Sequence, residues 1–452
     1  MSFKVGYSRS NINPKLGFGV MGYYVPRHAK GFLDDLETSA VVLECGKKRI
    51  AVISVDVCSL TVEQADEIKK AVSERSDIGA DSVFISTIHT HTGPVLTPNS
   101  IFDTTDEEID EYFAFLKSRI ADTVKLASDD LKDAKLGYGI GRVADRVAYI
   151  RRYKMKDGST MTCPPVDDPN IDHPIGEIDK RVNVLRIDRD GADSIVIVNY
   201  GVHADTVNGE LISPDWPGWM RKTVAKALDG TKCMFITGAQ GDVGSTNVHP
   251  KDGDMNDTEI SFDNEMKSPG MARFIGRAMA GTVLQVYDKV KYVDINDIDI
   301  FHKTIKVPAN VPTPEELILA RKYNQLHEEG RDSEIPFEAM ELTTVVAESA
   351  RMCKLANGPE YFEMGLTGIK LGDIAMVGIP GEPFTEISME IKKTEGWELV
   401  LVCELVNGHN GYFPVKSAYD EGGYEARSSK FRAGVGEIII DGSKEMLKEM
   451  KS

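Results

Sequence analysis

Cysteine is scarce in this 452-residue chain, and no two of its six cysteines are close enough to form a CxxC pair. Several lie inside apolar runs, so we expect buried free thiols in a reducing compartment, and nothing around them indicates a cysteine nucleophile. The first eight residues lack the apolar core of a secretory signal. The sequence therefore predicts a cytoplasmic protein.

Basic residues are outnumbered, with 53 Lys and Arg against 71 Asp and Glu and a formal net charge of −18. This balance disfavours nucleic acid and anionic membrane surfaces as main partners. The sequence has no uninterrupted apolar run of about 18 residues, the length expected of a membrane-spanning helix. We expect an acidic, soluble enzyme that takes a small-molecule substrate, binds no nucleic acid, has no membrane span and can form a homo-oligomer.

Apolar strand-like runs alternate with segments of helical periodicity along most of the chain. The predicted strands are 49–57, 82–88, 194–200, 233–237, 374–379 and 399–406. The predicted helices are 61–75, 106–126, 216–228, 269–287 and 384–393, the first with a capping box formed by Thr61 and Gln64. This alternation predicts an α/β fold, a layered mixed β-sheet core flanked by helices.

Residues 1–452 are interpreted as a single catalytic domain with insertions, since no repeat or low-complexity tract divides them. Segments 154–178 and 243–267 are rich in Pro, Asp, Gly or acidic residues and are predicted to be surface loops. Thr313 and Pro314 open a helix with N-cap and first-turn signals, so 313–357 is predicted to be a helical excursion.

Histidines follow two of the predicted strands, although the chain has only nine. His89 and His91 stand in an HxH pattern, and in an extended chain residues i and i+2 project from the same face. Imidazole is a common zinc ligand, so the pair can converge on a metal ion. A histidine pair held by backbone hydrogen bonds is the alternative.

His203 and Glu382 each follow an apolar strand as well. Sites in α/β sheets form beyond the carboxyl ends of strands, where the loops meet. Two or three histidines and one carboxylate at that place are typical of a catalytic zinc shell with a position left for water. For Glu382 alone, a favourable charge at the N-terminus of the following helix is an alternative interpretation.

Two glycine-rich segments after strands are further candidates. Segment 237–245 can present backbone N–H groups or a hydroxyl to a substrate oxygen, or can simply form a tight turn. Segment 407–425 carries Tyr412, Tyr419 and Tyr424, which can place phenols into a cleft or pack as ordinary amphipathic side chains.

These motifs together resemble the amino-terminal catalytic domain of the neutral/alkaline (non-lysosomal) ceramidases, in particular the shorter bacterial members. The resemblance rests on Met21-Gly22-Tyr23, Ser54-Val55-Asp56, His89-Thr90-His91-Thr92-Gly93-Pro94, Val202-His203, Gly241-Asp242-Val243, Pro380-Gly381-Glu382, and Gly411-Tyr412 through Tyr424-Glu425. It implies the fold of that domain and a single zinc ion, Zn²⁺, held by His89, His203, Glu382 and Tyr412. His91 would contact the substrate or a metal ligand.

The sequence departs from that family in three ways. Ceramidases carry a serine directly after Gly-Asp-Val, where this chain has Gly244, with Ser245 one residue later. They carry a glycine after the HxHxGP element, where Val95 stands here, and a carboxyl-terminal β-domain for which this chain has no room. These differences point away from ceramide and towards a small soluble amide, ester, lactone or glycoside.

The predicted activity is zinc-dependent hydrolysis through a metal-activated water. The candidate catalytic residues are His91, which would transfer the proton, and Asp242, Ser245 and Tyr419. Asp56 is predicted to orient a ligand histidine. A metal-dependent lyase, isomerase or sugar-cleaving enzyme, and a non-catalytic ligand-binding homologue, remain as alternatives.

Overall fold

The computed structural model describes residues 2–98, 104–261 and 266–452. Its α-helices are α1 (Val62–Arg75), α2 (Asp106–Asp129), α3 (Asp215–Ala227), α4 (Pro269–Tyr287), α5 (Pro314–Glu328), α6 (Ala339–Leu355), α7 (Thr385–Ile391), α8 (Lys416–Glu421), α9 (Tyr424–Ser428) and α10 (Val435–Glu449). Its strands are β1 (Phe3–Asn11), β2 (Gly31–Phe32), β3 (Glu37–Cys45), β4 (Lys48–Val55), β5 (Val83–Thr87), β6 (Lys132–Arg142), β7 (Tyr149–Ile150), β8 (Arg152–Met155), β9 (Thr160–Thr162), β10 (Ile171–Pro174), β11 (Arg181–Arg189), β12 (Ile195–Tyr200), β13 (Leu211–Ile212), β14 (Lys232–Thr237), β15 (Val243–Gly244), β16 (Glu259–Ile260), β17 (Met266–Lys267), β18 (Lys291–Val293), β19 (Ile298–Pro308), β20 (Tyr361–Leu371), β21 (Ile374–Gly378), β22 (Glu382–Pro383), β23 (Leu399–Cys403) and β24 (Tyr412–Phe413).

Two β-sheets form the centre of the molecule. The larger has the order β14-β12-β11-β6-β1-β3-β4-β5, with β18 also paired to β6. The smaller has the order β19-β20-β21-β23. The pairs β4/β5, β12/β14 and β21/β23 are parallel and the other pairs in these two sheets are antiparallel. Both sheets are therefore mixed.

The two sheets face each other across one apolar core, to which both contribute buried side chains. Strand β12 shows why its sequence is continuously apolar. Ile195 and Ile197 lie in the core between the sheets, whereas Val196 and Val198 pack with α3 and α4 on the outer face. A strand that is buried on both faces loses the apolar/polar alternation of a half-exposed strand.

Helices cover the outer face of each sheet. α1 and α2 pack on the half of the large sheet that contains β3, β4 and β5, and α3 and α4 pack on the half that contains β11, β12 and β14. α7 and α10 cover the small sheet. The layers therefore follow the order helix, sheet, sheet, helix, which confirms the predicted α/β fold class.

The capping signals in the sequence mark real helix starts. Thr61 accepts a hydrogen bond from the Gln64 N–H at 3.1 Å, and Gln64 accepts one from the Thr61 N–H at 3.0 Å. Thr313 and Glu316 form the same reciprocal box at α5. α5 and α6 lie between β19 and β20 in the chain and pack on each other, where the helical excursion was predicted. The organisation as a single domain remains a prediction.

The prediction of a plain surface loop at 154–178 is wrong in part. Strands β8, β9 and β10 form a small antiparallel sheet there. Its stability has a simple source, because Tyr153, Met155 and Ile171 are buried against Val248. The predicted loop 243–267 contains three two-residue strands and one 3₁₀ turn, and residues 262–265 lie outside the described part of the chain.

The carboxyl ends of the parallel strands define one region of the molecule. β5, β12, β21 and β23 end at Thr87, Tyr200, Gly378 and Cys403. The segments that follow them meet at this edge, where an antiparallel bridge joins Ser86 to Val406 across the two sheets. Among the described residues, no helix is both long and apolar enough to cross a membrane.

Candidate metal centre

Three of the predicted ligands come together at this edge. The ligand atoms of His89, His203 and Glu382 all lie within 4.8 Å of one another. The Nε2 atoms of His89 and His203 lie 3.2 and 3.3 Å from the same carboxylate oxygen, Oε2 of Glu382. All three side chains are buried, with at most 5% of any of them exposed. Separations of this size are those of atoms that share one small cation.

Local backbone geometry aims each histidine. His89 follows β5 with a φ of +62°, a left-handed conformation that few non-glycine residues adopt. Its N–H donates to the Val57 carbonyl at 3.1 Å, which fixes the turn. His203 lies beyond β12, and the Trp216 indole N–H donates to its carbonyl at 3.2 Å.

Backbone carbonyls select the tautomer of both histidines. His89 Nδ1 lies 2.9 Å from the Cys58 carbonyl oxygen, and His203 Nδ1 lies 3.0 Å from the Val243 carbonyl oxygen. A carbonyl can only accept, so each Nδ1 carries a proton, and each Nε2 is the ring nitrogen that faces Glu382.

The predicted role of Asp56 is therefore wrong. Its two oxygens accept hydrogen bonds from Arg221 at 2.8 and 2.6 Å, and one of them also accepts the Glu37 N–H at 2.9 Å. Asp56 neutralises a buried guanidinium beneath the site instead of orienting a ligand. These bonds go to Arg221 and to the Glu37 backbone, and none of them goes to an imidazole.

Glu382 carries the negative charge of the cluster. Burial acts to raise the pKa of its carboxyl, but His89, His203 and His409 outweigh burial and hold that pKa well below its usual range. Burial acts to lower the pKa of His89, and Glu382 and Cys58 reverse this and hold it well above the usual value. Glu382 Oε2 is buried and has no hydrogen-bond partner. A buried carboxylate oxygen without a hydrogen-bond partner, beside the Nε2 atoms of two imidazoles, fits a divalent cation.

Tyr412 enters the site through a backbone pairing. It lies directly opposite Glu382 in the parallel pair β22/β24. Its ring is 5.5 Å from the Tyr424 ring, and the Arg151 guanidinium carbon lies 5.4 Å from its centroid. Burial and then the charge of Glu382 raise the pKa of its phenol well above the usual value. Its service as a fourth ligand stays a prediction.

His91 lies beside the cluster. Its ring centroid is 4.9 Å from that of His89 and 5.9 Å from that of His203. Both of its ring nitrogens are buried without a hydrogen-bond partner. Burial, followed by the nearby charge of His89, lowers the pKa of His91 well below its ordinary value. Both effects favour the neutral form of the ring, and its role in proton transfer stays a prediction.

The other candidate catalytic residues lie away from this cluster. Asp242 accepts hydrogen bonds from the N–H and hydroxyl of Thr385, at 2.8 and 2.9 Å, at the start of α7. The Tyr419 hydroxyl donates to the Phe431 carbonyl at 2.9 Å. Ser245 lies in a small separate recess beside Asp205. The structure does not bring these three side chains into the cavity described next.

A cavity of about 340 Å³ opens onto the cluster. Its lining combines histidines, phenols, hydroxyls and a few apolar groups: Met21, Gly22, Tyr23, Tyr24, Cys58, Ser59, Leu60, Thr61, His89, His91, Thr97, Glu382, His409, Gly411, Tyr412, Tyr424 and Ser428. No lysine, arginine or aspartate is among the described lining residues. A larger cavity of about 560 Å³ lies against α4, but no histidine and no residue of the cluster is in its described lining. The smaller cavity is therefore the candidate site.

Two residues that sequence reasoning missed belong to this site. His409 Nε2 lies 2.9 Å from Glu382 Oε1. Arg151 donates to the Gly241 carbonyl at 2.8 Å, pairs with Glu425 at 2.8 Å and lies 3.2 Å from His203 Nε2. His409 had a usable signal, because it follows an apolar strand in a glycine-rich turn, as the chosen histidines do. Arg151 stands in a stretch without any comparable pattern.

The geometry thus defines a buried two-histidine, one-carboxylate cluster at the edge of a layered α/β fold. A search of protein-family models finds no match for the chain. Its structure is similar to that of neutral ceramidase from Pseudomonas aeruginosa and to that of a ceramidase complexed with C2. Both comparisons give a TM-score of 0.72 at 15% sequence identity and cover 99% of this chain, with 75% and 76% of the respective ceramidase chains. The resemblance inferred from the motifs is confirmed at the level of the fold.

Proposed function

We propose that this chain is a zinc-dependent hydrolase that acts on a small, neutral amide, ester, lactone or glycoside. One observation carries the proposal: Glu382 Oε2 lies unpartnered and buried between the Nε2 atoms of His89 and His203. Such a set costs free energy unless a cation fills it. Two imidazoles and a carboxylate are a common protein ligand set for catalytic zinc.

The ligand residues and their neighbours would have different roles in the reaction. Zinc held by His89, His203 and Glu382, with Tyr412 as the fourth ligand that the family resemblance implies, would polarise a carbonyl and lower the pKa of a bound water to about 7. His91 would receive a proton, since it is neutral, lines the cavity and has a nitrogen free of hydrogen bonds. The phenols of Tyr24 and Tyr424, 3.2 Å apart at their oxygens, would orient the substrate.

The cavity supports a neutral substrate. The cations near the cavity are engaged by protein groups. Arg151 pairs with Glu425 at 2.8 Å and donates to the Gly241 carbonyl at 2.8 Å. Arg27 donates to the carbonyls of Met21 and His91, at 2.7 and 2.8 Å, and Lys267 donates to the Tyr23 hydroxyl at 2.9 Å. An anionic substrate group would therefore lie near the negative charge of Glu382, and no basic side chain among the described lining residues would neutralise it. An unpaired negative charge is unfavourable in a buried site.

The test is a hydrolysis panel of small neutral amides, esters, lactones and glycosides, run on purified protein with and without a chelator. We expect turnover in at least one class, its loss on chelation and its return with zinc. His203→Ala should be inactive, whereas His173→Ala, at a histidine whose side chain is 61% exposed, should match the wild type. Full activity after complete metal removal, or zinc-loaded protein with no activity on any class, would contradict the proposal.

A further inference from the structure

The two oxygens of Glu382 have different partners. Oε2 faces the Nε2 atoms of His89 and His203, at 3.2 and 3.3 Å. Oε1 faces the Nε2 atom of His409 at 2.9 Å, a normal hydrogen-bond length. An ionised carboxylate can only accept, so His409 Nε2 carries the proton and donates it to Oε1.

The turn that carries His409 is tied to the segment that carries Glu382. The Glu382 N–H donates to the Gly411 carbonyl at 2.9 Å, and the Asn410 N–H donates to the Pro380 carbonyl at 2.9 Å. The Asn410 side chain donates to the same carbonyl at 3.0 Å. These reciprocal bonds fix the distance between the two backbones. The His409 imidazole is therefore held next to the Glu382 carboxylate.

Gly408 explains why the turn has room for this arrangement. Its φ is +140°, and a Cβ at this position would lie 2.6 Å from the Val62 side chain and 3.0 Å from the Val62 Cα. Only glycine adopts this backbone conformation without strain and without that clash. The turn that carries His409 therefore requires glycine at position 408.

We propose that His409 is a positioning residue that makes Glu382 bind the metal ion through Oε2 alone. A carboxylate whose second oxygen already accepts a strong hydrogen bond is disfavoured as a two-oxygen ligand. One-oxygen binding keeps a coordination position open for water or substrate, as catalytic zinc sites require. This inference rests on the proposed function, because it concerns the same ion.

His409 itself is placed as a neighbour of the ligands. Its ring centroid is 6.4 Å from that of His89, farther than the 5.0 Å between His89 and His203, and its Nε2 is already directed at Oε1. Its side chain is 29% exposed and lines the cavity, so it also lies where a substrate would contact it.

The experiment compares the full-length wild type with His409→Ala and His409→Gln, since glutamine can donate an N–H from a similar position. Zinc affinity is measured by competition with a chelator, and the coordination number is followed by the visible absorption of Co²⁺-loaded protein. We expect His409→Ala to weaken zinc binding by about 10- to 100-fold. We also expect its Co²⁺ bands to lose intensity, as they do when a carboxylate supplies a second oxygen, and its kcat to fall more than its KM rises. His409→Gln should restore all three in large part.

Two results would overturn the inference. Unchanged zinc affinity and an unchanged Co²⁺ spectrum in His409→Ala would show that Oε1 needs no partner. Complete loss of zinc in both variants, with the melting curve of the metal-free protein unchanged, would make His409 a ligand. If the wild type itself binds no zinc, the proposed function fails. If the wild type binds zinc and His409→Ala binds it with unchanged affinity, only this inference fails.

Discussion

The Asp56→Asn variant distinguishes two roles for Asp56: neutralising Arg221 and orienting a ligand histidine. Asp56 is fully buried and receives two hydrogen bonds from Arg221, whose side chain is 6% exposed. Removing one member of such a buried pair costs about 3–5 kcal/mol. Glu37 stays 3.2 Å from the Arg221 Nε and neutralises part of the charge, so we expect a loss near the lower end, about 3 kcal/mol.

Zinc affinity should not change in the same variant. The proton-bearing nitrogens of His89 and His203 bond to the carbonyls of Cys58 and Val243, which the substitution leaves in place. If Asp56 oriented a ligand histidine, zinc binding would weaken about 10- to 100-fold. The assays are urea unfolding of metal-free protein and zinc competition with a chelator.

Asp122→Asn is the matched control for this exchange. Asp122 also accepts from an arginine, Arg75, at 2.8 Å, but both side chains are exposed, so the expected cost is below about 1 kcal/mol. Wild-type stability in Asp56→Asn together with a tenfold or greater loss of zinc affinity would refute the reasoning, since the outer-shell role predicts a loss of about that size.

Two further predictions concern the buried carboxyl of Asp215 and the phenol of Tyr419. Burial raises the pKa of Asp215 to about 6, although Thr206 and the N–H groups of Val207 and Trp216 oppose it. The contribution of Asp215 to stability is therefore present below about pH 4 and lost as the pH rises through about 6, a change of about 3 kcal/mol. Urea unfolding should show the free-energy difference between wild type and Asp215→Asn shrinking by that amount from pH 4 to pH 7, and a constant difference would contradict this. Tyr419→Phe should cost about 1 kcal/mol, for its hydrogen bond to the Phe431 carbonyl, and keep its activity, so an inactive but folded variant would restore Tyr419 as a catalytic candidate.

The sequence predicted the layers and several helix starts well because those features are local. The apolar run of β12 and the capping box at Thr61 depend on neighbours in the chain, and both are found where they were expected. The small sheet at 152–174 escaped prediction because its stability comes from contact with Val248, about 75 residues beyond its last strand in the chain.

His89 and His91 lie close together, as predicted, but the backbone geometry assumed in that prediction was wrong. His89 and His91 were expected to share one face of an extended strand, but β5 ends at Thr87 and His89 has a φ of +62°. A turn, and not strand pleating, brings the two rings within 4.9 Å. The i, i+2 spacing alone cannot distinguish the two cases.

The meeting of His203 with Glu382 could not be derived from spacing at all. The two residues follow strands of different sheets, and the distance between them is set by how those sheets pack on their common core. Motif resemblance supplied the grouping, but it did not supply His409, since none of the motifs that carry the ceramidase resemblance includes that residue. The partner of Glu382 Oε1 became visible only when the loops were placed together.

The proposed function requires that His89, His203 and Glu382 hold one divalent ion. The direct measurement is elemental analysis of purified protein after dialysis against metal-free buffer, for the wild type, His203→Ala and His173→Ala. We predict about one zinc ion per chain in the wild type and in His173→Ala, and none in His203→Ala. Equal zinc content in all three proteins, or no retained metal in the wild type, would contradict the account.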